Sequence, residues 1–448
     1  MLPQPLFRVT RSFAAAKRAR LARAEGIHVW DDEGRRYLDA TSGAFAVQLG
    51  YSRPDLVFAM ARTAETLPHA RPSEFENAES EGYRRELLGA AGPPYARAIL
   101  TSSGSEAVDV ALKIAHRYQV SAGRTERSRV IHLTGHYHGA TVGGLAVTGW
   151  GVRREPYAAL VGEGTPGPAA YCRRCFRSLT FPSCRLACAD AAVAAPPAAV
   201  IQETIPAVGL GAPVPPPGYL ARMRTLCHGA GALWIADEVL TGFGRTGDLF
   251  AWKRLAARQE DGGSMPDKEA VPDLVVFGKG AGAGFAALGG VLVADRVARA
   301  LEPAGFEHWQ TYGGNPIASA VGRRVLAAMA EERIESHVRD HEGRFEAALG
   351  ALLDLPWVHD VRGMGFLWGI EIVEEKATGK PFPTERRTSR RIADACRERG
   401  VLVHAGTGCA GGEHGDFILV APPLIAEDEA LQEIATCLRD SIEETLQG

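Results

Sequence analysis

Two segments of the chain end an apolar run on a residue able to do chemistry. Trp234-Ile-Ala-Asp237-Glu238-Val239 stops on an acid, and Asp273-Leu-Val-Val-Phe-Gly278-Lys279-Gly280 stops on a lysine between glycines. Continuous apolar runs of this length read as strands of a sheet covered on both faces, and such sheets receive ligands beyond the carboxyl ends of their strands. An acid and a lysine at two such ends can face one ligand. A lysine there is either a cation for a phosphate or an amine nucleophile, and flanking glycines let the ligand approach the backbone. The plain alternative, a strand-end acid and a surface lysine, does not account for the matched flanks.

Two more segments extend the pattern. Thr101-Ser102-Ser103-Gly104-Ser105-Glu106 sits between a strand and a helix. That arrangement offers amides, hydroxyls and a positive helix end to a phosphate, although serine-rich turns also simply cap helices. His136-Tyr137-His138-Gly139 follows the run at 129–133. Its tyrosine can stack on a planar ring, and otherwise the loop is a packing element. Together the pieces describe a ligand with a phosphate (Gly104, Ser105), an aromatic ring (Tyr137), a basic ring nitrogen (Asp237) and an aldehyde (Lys279). Pyridoxal 5′-phosphate has all four, and a lysine Schiff base with an aspartate on the ring nitrogen is its protein signature.

The elements that must position these residues are an alternation of strands and helices. Strands are expected at 97–101, 129–133, 198–203, 232–238, 273–278 and 289–294, with helices at 75–90 and 105–119. This predicts an α/β fold with a mostly parallel sheet. Residues 27–39 read as two short strands around a turn. After about residue 316 the pattern changes to a long helix (317–354), strands near 358–363 and 366–373, a helix at 384–399, strands at 401–404 and 417–420, and a closing helix at 427–446. The expected division is an N-terminal arm and strands (1–50) joining a small C-terminal α+β domain (326–448), around a large cofactor-binding domain (51–325). The first 26 residues read as a helical arm rather than a transit peptide, 255–272 as a polar loop, and 161–190 as an irregular, cysteine-bearing insertion.

Composition narrows the classes. The chain has 448 residues, 46% of them hydrophobic and 23% charged, with a formal net charge of −3. These are ordinary values for a soluble globular protein, with no electrostatic reason for a nucleic-acid or membrane partner. No run of apolar residues is long enough to span a bilayer and none forms a signal-peptide core, so the cytosol is the expected location.

In order and spacing, Ser103-Gly-Ser-Glu-Ala, Tyr137-His-Gly, Asp237-Glu-Val-Leu-Thr-Gly-Phe-Gly-Arg-Thr-Gly, Phe277-Gly-Lys-Gly and Thr311-Tyr-Gly-Gly-Asn-Pro resemble the class III aminotransferases of PLP fold type I. The resemblance runs from about Gly26 to Glu444. It implies transfer of an amino group between a primary amine or amino acid and a 2-oxo acid. It also implies roles: Lys279 as the Schiff-base lysine and proton shuttle, and Asp237 on the ring nitrogen. Ser103, Gly104 and Ser105 would hold the phosphate. Tyr137, with His138 beside it, and Val239 would flank the ring, and Glu203 would support the cofactor. Thr311 would reach the phosphate of a neighbouring subunit, which implies a homodimer with shared sites. A racemase, epimerase or decarboxylase would use the same cofactor and lysine. A different class, a dinucleotide-binding oxidoreductase, is suggested by Gly242-Phe-Gly244-Arg-Thr-Gly247, but the acids Glu260 and Asp261 that follow begin a polar stretch instead of ending a second strand.

The chain also departs from that family. Leu419 stands where many relatives carry an arginine that clamps the α-carboxylate of glutamate or 2-oxoglutarate, a task suited to a bidentate donor. Val208 stands near the place of the glutamate that gates it, and Thr204 replaces a usual proline. Arg153 and Arg154 are candidates to substitute for the missing cation. Finally, Cys172, Cys175, Cys184 and Cys188 have spacing that suits a structural zinc or other metal, a redox pair, or unligated thiols.

Overall fold

A computed structural model describes residues 19–257, 270–412 and 414–447. The polar loop expected at 255–272 and most of the N-terminal arm fall largely outside these residues. The centre of the molecule is a seven-stranded sheet. Its strands are β1 (Tyr95–Thr101), β2 (Val130–Leu133), β3 (Thr165–Gly167), β4 (Ala199–Glu203), β5 (Leu233–Asp237), β6 (Leu274–Phe277) and β7 (Gly289–Ala294). They lie in the order β1-β7-β6-β5-β4-β2-β3. Every residue of β4, β5 and β6 is buried, as the unbroken apolar runs require of strands covered on both faces.

Direction explains how the reactive segments meet. From β6 through β5, β4 and β2 to β3 all neighbours are parallel. β7 runs antiparallel to both β6 and β1. The two reversals cancel, so β1 points the same way as the parallel set. The carboxyl ends of β1, β2, β4, β5 and β6 therefore open on one edge of the sheet. From that edge springs helix α1 (Gly104–Ser121), capped by the Ser103 hydroxyl accepting from the Glu106 amide at 3.2 Å.

Two smaller sheets accompany it. Leu21–Glu25, His28–Asp31 and Arg36–Asp39 form a meander, and Val401–Leu402 from the far end of the chain adds to it parallel to Arg36–Asp39. The strand at Leu21–Glu25 replaces the helix expected at the end of the N-terminal arm, because its backbone pairs with the strand that follows. An antiparallel sheet is built from β8 (Val358–Met364), β9 (Leu367–Ile372), β10 (His404–Ala410) and β11 (His414–Val420), in the order β8-β9-β11-β10. The helix expected over 317–354 is instead two, Pro316–Glu331 and Ile334–Gly350. The chain turns at Arg333, whose φ of 53° is left-handed. The turn re-aims the second helix so that Ile334, Val338, Phe345 and Leu349 are buried. The insertion at 161–190 is not wholly irregular: it contributes the edge strand β3 and is pinned to β9 by Tyr171 and Arg174, both bonded to the buried Glu371. Among the described residues no helix is long and apolar enough to cross a membrane.

The Gly242–Gly247 segment does not open a helix. It is a run of turns in which Gly244 and Gly247 take φ values of 90° and 86°. Its arginine, Arg245, is fully buried and donates to the carbonyls of Phe366 and Pro422 and to the Ser42 hydroxyl. The motif is a clamp across three distant segments, and the dinucleotide reading fails on this geometry. Arg245→Leu would leave those carbonyls buried without their donor. The expected cost is about 2–4 kcal/mol of stability, measurable by denaturant unfolding.

Candidate active site

Lys279 follows β6 after one glycine and is largely, though not completely, buried. Its φ of 40° is left-handed, an uncommon conformation for a side-chain-bearing residue and one that concentrates at functional sites. Burial holds the amine below its usual pKa, and the nearby Glu203 and Asp237 oppose that shift while Arg245 adds to it. The backbone around it is tight. A Cβ at Gly280 would lie 1.7 Å from Oε1 of Gln48, whose amide nitrogen is bonded to the Gly242 carbonyl at 3.1 Å. A Cβ at Gly104 would lie 2.7 Å from Cγ2 of Val239. Glycine is required at both.

Asp237, at the end of β5, has both oxygens engaged. Oδ2 is 2.7 Å from Nδ1 of His138, and Oδ1 accepts from the Val239 amide at 3.0 Å. The carboxylate plane is thereby fixed. His138 is buried, and its Nε2 has no partner among the described residues. In register, Asp237 sits opposite Glu203 on β4 and Val276 on β6. Glu203 Oε2 accepts from the Tyr137 amide at 2.8 Å, and the Glu203 amide donates to Nδ1 of His136 at 2.9 Å. Burial, reinforced by Asp237, pushes Glu203 up to about 8, so it is largely protonated at pH 7. The Tyr137 loop is tied to α1 by the Ala140 amide donating to the Ser105 hydroxyl at 3.1 Å. The Gly104 and Ser105 amides, in the first turn of α1, have no intrahelical acceptor.

Lys279, Asp237, Glu203, Tyr137, His138, Val239, Ser103, Gly104 and Ser105 thus come together at one edge of the sheet. Thr311 does not join them within the chain: it lies on an exposed stretch with Trp309 and Tyr312. That stretch still borders the site, because Gln310 Nε2 donates to Glu106 at 3.3 Å on the first turn of α1.

The arrangement fits pyridoxal 5′-phosphate. It offers an enclosed amine held toward its uncharged form, an oriented carboxylate, and an amide-lined helix start on one edge. Comparison with known proteins agrees. The family described as aminotransferase class-III matches residues 13–442. This chain belongs to the class III aminotransferases. A probable aminotransferase of Mycobacterium tuberculosis is 33% identical over 95% of this chain and 90% of its own length. A putrescine–pyruvate aminotransferase of Pseudomonas aeruginosa is 30% identical over 95% of this chain and 90% of its own length. Among solved structures, an (S)-enantioselective omega-transaminase from Thermomicrobium roseum superposes with a TM-score of 0.87 at 29% identity, covering 100% of this chain and 97% of that one. A PLP-bound amine transaminase from an uncultivated Pseudomonas species gives 0.86 at 28%, covering 99% and 98%. The enzyme has the PLP fold type I architecture and transfers amino groups with that cofactor. The oxidoreductase, racemase and decarboxylase alternatives are not favoured.

Several site residues of this aminotransferase were not legible as such. Phe45 places its ring centroid 5.5 Å from Lys279 Nζ, and His404 packs edge-on against Phe45 at 5.5 Å. Burial and the charges of Lys279 and Arg153 push His404 down to about 4, so it is neutral at pH 7. Trp150 meets Tyr137 edge-to-face at 6.1 Å. Only His404 left a signal, as a polar residue ending the apolar run Val401-Leu-Val. Thr204, in place of a proline, is explained by its bonds: its hydroxyl donates to Glu238 at 2.8 Å and its amide to the Asp237 carbonyl at 3.2 Å. A proline would make neither. Leu419 is fully buried and paired across strands with His404, so the position of the family's arginine is apolar and adjoins the site. The four insertion cysteines are free thiols, and no three of their sulfurs lie within 4.8 Å of one another. They share one neighbourhood, Cys172 sensing Cys175 and Cys184 and Cys188 sensing Cys172 and Cys184, but are not drawn together as a set of ligands, and the metal reading is not supported.

Proposed function

We propose that this enzyme exchanges an amino group between a primary amine or amino acid and a small 2-oxo acid with one carboxylate, with Lys279 as the amine and proton carrier. The observation that supports this reading is the convergence of an enclosed Lys279 with the doubly held Asp237 at neighbouring strand ends. Pyridoxal 5′-phosphate supplies the aldehyde that exchanges amine partners and the conjugated ring that takes up an electron pair. Lys279, kept toward its uncharged form by burial, takes a proton from the substrate carbon and returns it. Asp237, oriented by His138 and the Val239 amide, holds the proton on the ring nitrogen. The first turn of α1, with Ser103, Gly104 and Ser105, binds the phosphate. Tyr137 and Val239 would flank the ring, and Glu203 fixes the Tyr137 loop by accepting from the Tyr137 amide.

We further propose a homodimer in which Thr311, on its exposed stretch, completes the partner's phosphate site. The division into a large domain (51–325) and a small one (326–448 with 1–50) belongs to the same reading, the substrate lying between them.

The acceptor follows from Leu419. An apolar side chain cannot pair with a carboxylate, and burying that charge unpaired is costly. Losing a bidentate contact should weaken a two-carboxylate acceptor by about 2–4 kcal/mol, or roughly thirty- to a thousand-fold. Pyruvate is therefore expected to exceed 2-oxoglutarate in kcat/KM with one common donor. A strong preference for 2-oxoglutarate would overturn this specificity.

A further inference from the structure

We propose that Arg153 forms a carboxylate-binding subsite at the mouth of the active site, taking the single carboxylate of an oxo acid or an ω-amino acid. The inference rests on the transaminase reading above and adds to it the group that recognises the substrate.

The argument begins with position. Arg153 stands in the short helix Gly151–Arg154, entered from Trp150. Its guanidinium carbon lies 5.1 Å from the Trp150 ring centroid, and Trp150 in turn meets Tyr137 edge-to-face. The arginine is thus carried on an aromatic shelf whose far side touches the ring-stacking tyrosine. Arg153, Trp150 and His404 line one groove of about 1130 Å³. His404 leads from that groove through Phe45 to Lys279. The charge of Arg153 is felt by both Tyr137 and His404.

Availability comes next. Among the described residues Arg153 makes no ion pair, whereas Arg174, Arg254 and Arg362 do. The other cations nearby are committed or distant. Arg154 turns the opposite way, donating to the Gly162 carbonyl and packing beside His132. Arg245 is enclosed by backbone carbonyls, Arg362 is bonded to Glu371, and His404 is neutral. Arg390 and Arg397, also on the groove wall, are both paired with Asp394. A free planar fork facing the site matches a carboxylate, and the Leu419 position offers no competitor. One fork holds one carboxylate, which agrees with a preference for substrates that carry only one.

The test uses the holoenzyme and a pair of donors that differ in the carboxylate alone, 4-aminobutyrate and butylamine. In Arg153→Ala the 4-aminobutyrate-to-butylamine ratio of kcat/KM in the half-reaction is expected to fall about thirtyfold or more, through KM with little change in kcat. Arg153→Lys should recover part of it, and Arg154→Ala should leave the ratio unchanged. Propionate, which has a carboxylate and no amine, should perturb the cofactor absorbance of the wild-type enzyme at concentrations at least tenfold below those Arg153→Ala requires. An unchanged ratio in Arg153→Ala, or equal propionate affinity in the two proteins, overturns the subsite. A wild-type enzyme inert toward every amine fails the transaminase reading instead, and the propionate titration still decides the subsite.

Discussion

Lys279→Ala is expected to abolish the absorbance band of the lysine-bound cofactor and to lower turnover by about ten-thousand-fold or more. The expectation follows from enclosure. No other amine is placed at the end of β6, and an alanine methyl can neither attack an aldehyde nor move a proton. The backbone conformation alone is insufficient, since alanine would occupy the same left-handed φ. A second, independent consequence concerns stability. Burial lowers the Lys279 pKa in the folded state relative to the unfolded chain. The unfolded chain therefore binds more protons between the lowered value and about 10.5, and stability rises with pH through that window. Below it, enclosing the lysine is a net cost. The cofactor-free Lys279→Met protein should accordingly be at least as stable as the cofactor-free wild type at pH 7, by denaturant unfolding. Substantial turnover in Lys279→Ala would refute the catalytic assignment, whereas a destabilised Lys279→Met would refute only the cost of enclosure.

Asp237→Asn should retain the cofactor yet slow the half-reaction by about a hundred- to a thousand-fold. Asparagine keeps the shape, and its carbonyl oxygen can still accept from His138 or the Val239 amide. What it loses is the negative charge that holds a proton on the ring nitrogen and makes the ring an electron sink. Removing one preorganised electrostatic contact at a reacting centre typically costs this much. Single-turnover measurement with a saturating amine isolates the step from binding. An unchanged rate would mean that another group, with His138 the nearest candidate, governs the ring.

Several elements could be read before any coordinates. β4, β5, β6 and β7 fall within a residue or so of their apolar runs, because a strand buried on both faces is filled by apolar side chains until its carboxyl end, where Gln202, Glu203 and Asp237 sit. Helix α1 begins after Ser103 for the reason a serine before a helix suggests: its hydroxyl takes an orphan amide. The break at Arg333 was not legible. Glu331, Glu332 and Arg333 are compatible with helix, and the turn arises only because burying Ile334 and Val338 needs a new direction. The Gly242–Gly247 motif misled for a related reason. Glycine spacing reports that left-handed backbone is needed, but not whether a phosphate or a buried arginine occupies the turn.

The same line divides the site. Lys279 and Asp237 were singled out by the sequence itself, since a reactive residue terminating an apolar run leaves a local mark, whereas Tyr137 was read from its loop and Glu203 from the family resemblance. Their convergence on one edge follows from the parallel pairing of β6, β5, β4 and β2, whereas bringing Gly104 and Ser105 to that edge depended on the two antiparallel pairings of β7, which no local pattern encodes. Phe45, Trp150 and His404 come together from segments more than a hundred residues apart, and Arg153 rather than Arg154 lines the groove beside them. Those facts were settled by tertiary structure, because which side of a short helix faces a groove depends on what that helix packs against, and not on the identity of two adjacent arginines.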